Sequence, residues 1–140
     1  MEKSQKVSIL VVDDEEEIRN VLSRHFRFNG FFVETAENGL EALDVLKAKR
    51  FEIVITDIQM PEMNGPDLLR EIRKHYPMIQ TIVITGYVTL ENLMVALRLG
   101  SNTCVFKPIN DISELDDAVS RSIEHLKRWE KKLSELQSMK

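Results

Sequence analysis

The sequence has a single cysteine, Cys104, in 140 residues. No internal disulfide can form, and a paired-cysteine metal site is excluded. The three histidines, His25, His75 and His125, lie far apart and follow no ligand spacing, which argues against zinc and against histidine-based catalysis. Long apolar runs are missing as well. Ile9-Leu10-Val11-Val12 is typical of the longest, far short of the roughly 20 residues a membrane helix needs. No basic segment followed by an apolar stretch opens the chain. A cytoplasmic, reducing location with no membrane partner is therefore the default expectation. There is no internal repeat, no low-complexity segment and no helix-turn-helix or basic recognition segment, so direct nucleic-acid binding is not expected.

What is present fits one compact domain. Hydrophobic residues make up 43% and charged residues 30%, a normal globular mixture that argues against wholesale disorder. The formal net charge is −4, and it is unevenly placed. Residues 121–140 carry six basic side chains and three acidic ones, whereas residues 1–120 carry thirteen basic and twenty acidic, a net −7. The C-terminal stretch is a different kind of surface from the body.

Short β-branched runs alternate with helical patterns. The runs are Val7–Val12, Phe31–Thr35, Phe51–Thr56, Thr81–Thr85 and Thr103–Lys107, of the length and composition of strands buried on both faces. Between them Ile18, Leu22 and Phe26 recur at helical spacing, as do Leu40, Leu43 and Leu46, then Leu68, Leu69 and Ile72, then Leu93 and Leu97. Asp14 with Glu17, and Asn38 with Glu41, are spaced as capping boxes. Gly30 and Gly100 stand where helices should stop, and Pro77 closes the third. Five such units predict an α/β, doubly wound parallel sheet of five strands with helices on both faces. In that architecture ligands sit outside the carboxyl ends of the strands.

The residues at those ends form a short polar set. Asp13 and Asp14 end the first strand, Asp57 the third, Thr85 the fourth and Lys107 the fifth. Three neighbouring carboxylates repel and stay ionised only around a cation. Oxygen ligands select a hard ion, and Mg²⁺ suits two carboxylates, waters and a phosphate oxygen. With a lysine and a hydroxyl opposite, these are the parts of phosphoryl transfer: nucleophile, metal, ammonium clamp and hydroxyl donor. Taken singly, each aspartate also reads as a helix cap, Thr85 as a turn residue and Lys107 as a solvated lysine. Composition does not say which aspartate is the nucleophile.

The stretches ILVVDDE at 9–15, IVITDIQMPEMNG at 53–65, VITG at 83–86 and FKP at 106–108 resemble the receiver domain of bacterial two-component response regulators. The resemblance covers about residues 6–120, so 1–120 is assigned to a receiver domain and 121–140 to an extended C-terminal helix. It implies a flavodoxin-like strand order 2-1-3-4-5. It implies that Asp57 is the phosphoacceptor, and that Asp13, Asp14, Asp57 and the backbone carbonyl of Gln59 bind Mg²⁺. Thr85 would follow the phosphoryl group, Lys107 would pair with it, and Pro108 would follow a cis peptide bond. Pro61 and Gly65 would shape the loop after Asp57, and Gly86 would be small to let phosphate approach. The phosphodonor would be a sensor histidine kinase or phosphotransfer protein. The chain would then be a switch with slow self-dephosphorylation rather than an enzyme, biasing the faces near helix four, strand five and helix five.

One position departs from the family. Three residues before Lys107 the family carries Tyr or Phe, an aromatic ring that turns inward when the threonine moves. Here it is Cys104, which leaves the acceptor chemistry in place and removes that ring. Phe106 shares the strand face and is the alternative aromatic. Gln59 and Tyr87, two residues after Asp57 and Thr85, would influence water access.

Residues 111–137 read as one helix, with Asp111 and Glu114 as its cap. Leu115, Val119, Ser122, Leu126, Trp129, Leu133 and Leu136 alternate steps of four and three, a coiled-coil heptad. It is either a fifth helix packed on the sheet with a frayed basic end, or a parallel homodimer helix acting as a linker to an output domain absent here. Three rival functions are weighed against the switch. An Asp-nucleophile Mg²⁺ phosphatase would want an acid where Gln59 stands. A flavin-binding protein would find its phosphate repelled by Asp-Asp-Glu-Glu-Glu. A phosphorylation-independent docking module is kept open by Cys104.

Overall fold

The computed structural model describes residues 6–60, 63, 65–86 and 89–139. Five strands form one sheet: β1 (Ser8–Val12), β2 (Phe32–Ala36), β3 (Ile53–Asp57), β4 (Gln80–Thr85) and β5 (Thr103–Phe106). All pair in parallel in the order β2-β1-β3-β4-β5, as expected. The helices are α1 (Glu16–Phe28), α2 (Gly39–Ala48), α3 (Gly65–His75), α4 (Leu90–Arg98) and α5 (Ser113–Ser138). No described helix is long and apolar enough to cross a membrane.

Side-chain alternation along the strands divides the core into two layers. Ile9 and Val11 of β1, Ile53 and Ile55 of β3, and Ile82 and Ile84 of β4 pack with Leu22 and Phe26 of α1 and Leu115 and Val119 of α5. The intervening residues Leu10, Val12 and Val54 meet Ala42 and Leu46 of α2 and Leu68 and Ile72 of α3. Val83 meets Ala96 of α4, with Cys104 packed partly buried beside them. Every residue of β3 and β4 is buried, so their carboxyl ends are anchored in the packed core.

Several local readings are corrected. The Asp14–Glu17 box does not form: Glu15 occupies the cap position without a side-chain cap bond, and Asp13 Oδ1 accepts the Glu15 N–H instead (2.8 Å). At α2 the forward half of the box forms, with Glu41 N–H donating to Asn38 Oδ1 (2.8 Å); the Glu41 carboxylate also accepts the Glu37 N–H (2.6 Å). Leu40 and Leu97 are exposed; the buried sides of these helices are formed by Ala42 and Leu46 in α2 and Ala96 in α4. The Asp111–Glu114 cap is replaced by Ile112 at the cap position, while Asp111 accepts the Ser113 N–H from outside the helix (3.0 Å). Gly30 and Gly100 do stop helices, with φ of +95° and +79°.

The heptad of α5 divides in two. Leu115, Val119, Ser122 and Leu126 are buried. Trp129, Leu133 and Leu136 are 52%, 48% and 58% exposed, on a helix about 40 Å long. Ser122 breaks the apolar seam for a reason: its Oγ accepts from Asn102 Nδ2 (3.0 Å), which also donates to Gln80 Oε1 (2.9 Å).

Two glycines hold the loop that follows β3. The Gly65 N–H donates to the Ile58 carbonyl (3.2 Å) and that of Gly39 to Met63 O (3.2 Å). A Cβ at Gly65 would lie 2.5 Å from both Asp57 O and Ile58 Cα, whereas one at Gly86 would meet only Lys107 carbons at 3.7 Å. Gly65→Ala is therefore expected to lower stability by about 1–3 kcal/mol through overpacking, and Gly86→Ala to leave it nearly unchanged. Urea midpoints of the two variants test this; equal midpoints would contradict the packing argument.

Candidate functional site

The carboxyl ends of β1, β3, β4 and β5 bring the polar set together. Asp13 is fully buried just past β1, Asp57 ends β3 nearly buried, and Asp14 is exposed beside them. Each of the three acids can place one carboxylate oxygen within 4.8 Å of the others. Thr85 is buried at the end of β4, one residue past Ile84, which pairs with Asp57. Its carbonyl accepts the Lys107 N–H (2.8 Å), tying the start of the β5–α5 loop to the site. The Lys107–Pro108 peptide bond is cis.

Lys107 is the hub of this arrangement. Its Nζ lies 2.9 Å from Asp13 Oδ2, Glu15 Oε1 and Asp57 Oδ2. Burial alone would lower its pKa, but the three carboxylates outweigh that and raise it above the ordinary lysine value. The ammonium is thus fixed in its charged form. Asp57 divides its oxygens between two donors: Oδ2 faces Lys107, and Oδ1 accepts the Gln59 N–H (3.1 Å). Gln59 itself is exposed in the turn after β3.

Asp13 is the strained member. Desolvation pushes its carboxyl up to about 6, offset in part by the Glu15 N–H and Lys107 and reinforced by Asp57. Its Oδ2 is buried and accepts no hydrogen bond of good geometry, although the ammonium is at ion-pair distance. An acceptor oxygen without a directed donor, beside two further carboxylates, is the donor chemistry a hard divalent cation would satisfy. Asp13, Asp14 and Asp57 could hold such an ion.

Of the expected site residues, the structure brings Asp13, Asp14, Asp57 and Lys107 together and sets Thr85 and Gln59 beside them. Gly65 shapes the loop as expected, with Pro66 in the first turn of α3. Pro61 and Tyr87 lie outside the described residues. Phe106 is exposed. Glu15 was missed as a partner of Lys107; its place directly after the acidic pair was the available signal. Gly39 was missed too, since its close approach to Met63 joins segments distant in sequence. The histidines pair elsewhere: His25 with Asp116 (2.7 Å), His75 with Glu71 (3.5 Å) and His125 with Trp129 (3.3 Å).

Comparison with known proteins gives a consistent result. The family model of the response regulator receiver domain matches residues 9–120. The regulatory protein AtoC of Escherichia coli is 39% identical over 116 residues, covering 83% of this chain and 25% of AtoC. The chain spans about a quarter of the length of the curated relatives it matches. A CheY-like receiver domain protein from Methanospirillum hungatei superposes with a TM-score of 0.82 at 31% identity, over 89% of this chain and 99% of the other. TrrA of Thermotoga maritima, solved in complex with Mg²⁺-BeF, gives 0.74 at 34% identity, over 83% and 98%.

The raised Asp13 pKa sets a pH dependence. The folded chain holds that proton to a higher pH than the unfolded chain does, so metal-free stability falls as pH rises from about 4 through about 6. Between pH 5 and pH 7 in chelator the loss is expected to be about 1 kcal/mol, and Asp13→Asn should abolish it. Denaturant midpoints at the two pH values decide; the same decline in the variant would remove Asp13 as the cause.

Proposed function

Since the chain belongs to the response regulator receiver domain family, we propose that Asp57 is the phosphoacceptor of a signalling switch. The observation that carries this is the convergence of three carboxylates and one obligatorily charged ammonium on the end of the most buried strand pair. The donor is the phosphohistidine of a sensor kinase or phosphotransfer protein. An Asp57 carboxylate oxygen attacks phosphorus, the P–N bond breaks, and the leaving imidazole takes up a proton.

Mg²⁺ held by Asp13, Asp14, Asp57 and the Gln59 carbonyl would neutralise charge developing on the phosphoryl oxygens. Lys107 supplies the second positive contact. It is already placed on Asp57 Oδ2, so its reorganisation during transfer is small. The hydroxyl of Thr85 donates to a phosphoryl oxygen. Slow self-dephosphorylation belongs to this reading: Gln59, two residues after Asp57, carries an amide and supplies no base for water.

Cys104 bears on how the signal leaves the site. Half-buried against Val83 and Ala96, a thiol cannot fill and vacate a ring-sized space. The response is carried by Lys107 instead. A phosphoryl group on Asp57 competes for its ammonium, and Glu15, at the start of α1, loses its ion partner. Retention of all the acids with Lys107 weighs against a docking module indifferent to phosphorylation.

Intact mass after incubation with acetyl phosphate tests the reading. A single Mg²⁺-dependent phosphoryl adduct is expected, absent in Asp57→Asn and losing its metal dependence in Asp13→Ala. Undiminished labelling of Asp57→Asn would move the acceptor elsewhere.

A further inference from the structure

The loop between β3 and α3 carries the backbone of Gln59. Its N–H donates to Asp57 Oδ1 (3.1 Å), and its carbonyl is the ligand expected beside the three carboxylates. What fixes the direction of these two groups lies outside the site. Among the described residues three tethers hold the loop. The Ile58 carbonyl accepts the Gly65 N–H (3.2 Å). The Met60 side chain packs, partly buried, against the layer that contains Leu10, Ala42, Leu46 and Leu68. The Met63 carbonyl accepts the N–H of Gly39 (3.2 Å), the first residue of α2.

The third tether is the one that demands a particular residue. The first N–H groups of a helix have no partner within it. In α2 the Asn38 side chain takes that of Glu41, and Met63 takes that of Gly39. Gly39 is buried, and its φ is not in the positive region that Gly30 and Gly100 occupy. Backbone freedom is therefore not what the position needs, and glycine is a poor helix former. Close approach accounts for it. A Cβ here would lie 2.4 Å from Met63 O, 2.6 Å from Met63 Cγ and 2.8 Å from Met63 Cβ. Cγ could swing aside, but the oxygen and Cβ are fixed to the backbone, and moving them moves the chain that leads back to Gln59.

We propose that Gly39 is a positioning residue for the metal site: by admitting Met63 against the first turn of α2, it sets the direction of the Gln59 N–H and carbonyl. This rests on the reading of Asp13, Asp14, Asp57 and Gln59 as Mg²⁺ ligands. Mg²⁺ demands near-ideal octahedral geometry, whereas Ca²⁺ accepts flexible coordination. A displaced carbonyl is costly for the first ion and tolerable for the second, so Gly39 bears on ion choice as well as on affinity. The coupling is reciprocal: the Gly39 N–H, at the start of α2, is better protected when the site is filled.

Calorimetric titration of the 140-residue chain with Mg²⁺ and, separately, with Ca²⁺ tests this, with circular dichroism confirming each fold. Gly39→Ala is expected to weaken Mg²⁺ binding about tenfold, as loss of a supporting contact around a metal commonly does, and Ca²⁺ binding by less than about threefold. In a Met63→Gly background, which removes the Cβ and Cγ contacts and frees the peptide to turn, the same substitution should cost Mg²⁺ affinity no more than about twofold. Hydrogen exchange needs no variant: in the unaltered chain the Gly39 N–H should exchange more slowly once Mg²⁺ is added. Unchanged Mg²⁺ affinity in Gly39→Ala, equal losses for the two ions, an equal loss in the Met63→Gly background, or Gly39 exchange indifferent to Mg²⁺ would each overturn the role of Gly39. An unaltered chain that takes up no Mg²⁺ would instead overturn the reading of the site beneath it.

Discussion

One ammonium group decides whether the functional edge of this sheet holds together. Asp13, Glu15 and Asp57 all approach Lys107 Nζ at 2.9 Å, and Asp13 is buried deeply enough that its ionised form is costly. The parallel sheet creates this tension, because it points the ends of its strands at a single small volume. Lys107 comes from β5, at one edge, and reaches across β4 to acids on β3 and β1. The site is a cross-sheet clamp, and anything that draws the ammonium away alters its contacts with Asp13, Glu15 and Asp57.

The placement of the clamp was legible in the sequence because hydrophobic periodicity and strand ends are local signals. Val-Ile runs ending in Asp57 and Asp13 place those acids on one edge whatever the loops do. What escaped the sequence depends on the third dimension. Whether Glu15 turns toward Lys107 depends on the path of the chain into α1, and the same path displaced the expected Asp14–Glu17 cap. Leu40 and Leu97 fit a helical period, yet α2 buries Ala42 and Leu46 and α4 buries Ala96, leaving those two leucines outside. Gly39 is fixed by its contact with Met63, a pairing no spacing rule encodes.

The α5 heptad shows a different kind of ambiguity. A step of four and three is the same whether a helix packs on its own sheet or on another helix. The reading of a fifth helix packed on the sheet holds as far as Leu126, whose stretch serves the domain core, while Trp129, Leu133 and Leu136 stay about half exposed. Ser122 marks the domain-facing half. A serine that weakens a coiled-coil seam is well placed as the acceptor for Asn102, which joins α5 to the amino end of β4 through Gln80.

A helix clamped along half its length and bare along the rest is a lever. Its fulcrum is the Asn102–Ser122–Leu126 region, and its free arm runs from Trp129 to Ser138, on the order of 15 Å of unbroken helix. A tilt of about 5° at the fulcrum would swing the end of that arm by about 1 Å, more than most side-chain packing tolerates without rearrangement. Any small repacking at β4 and β5 would thus be converted into displacement at a distance.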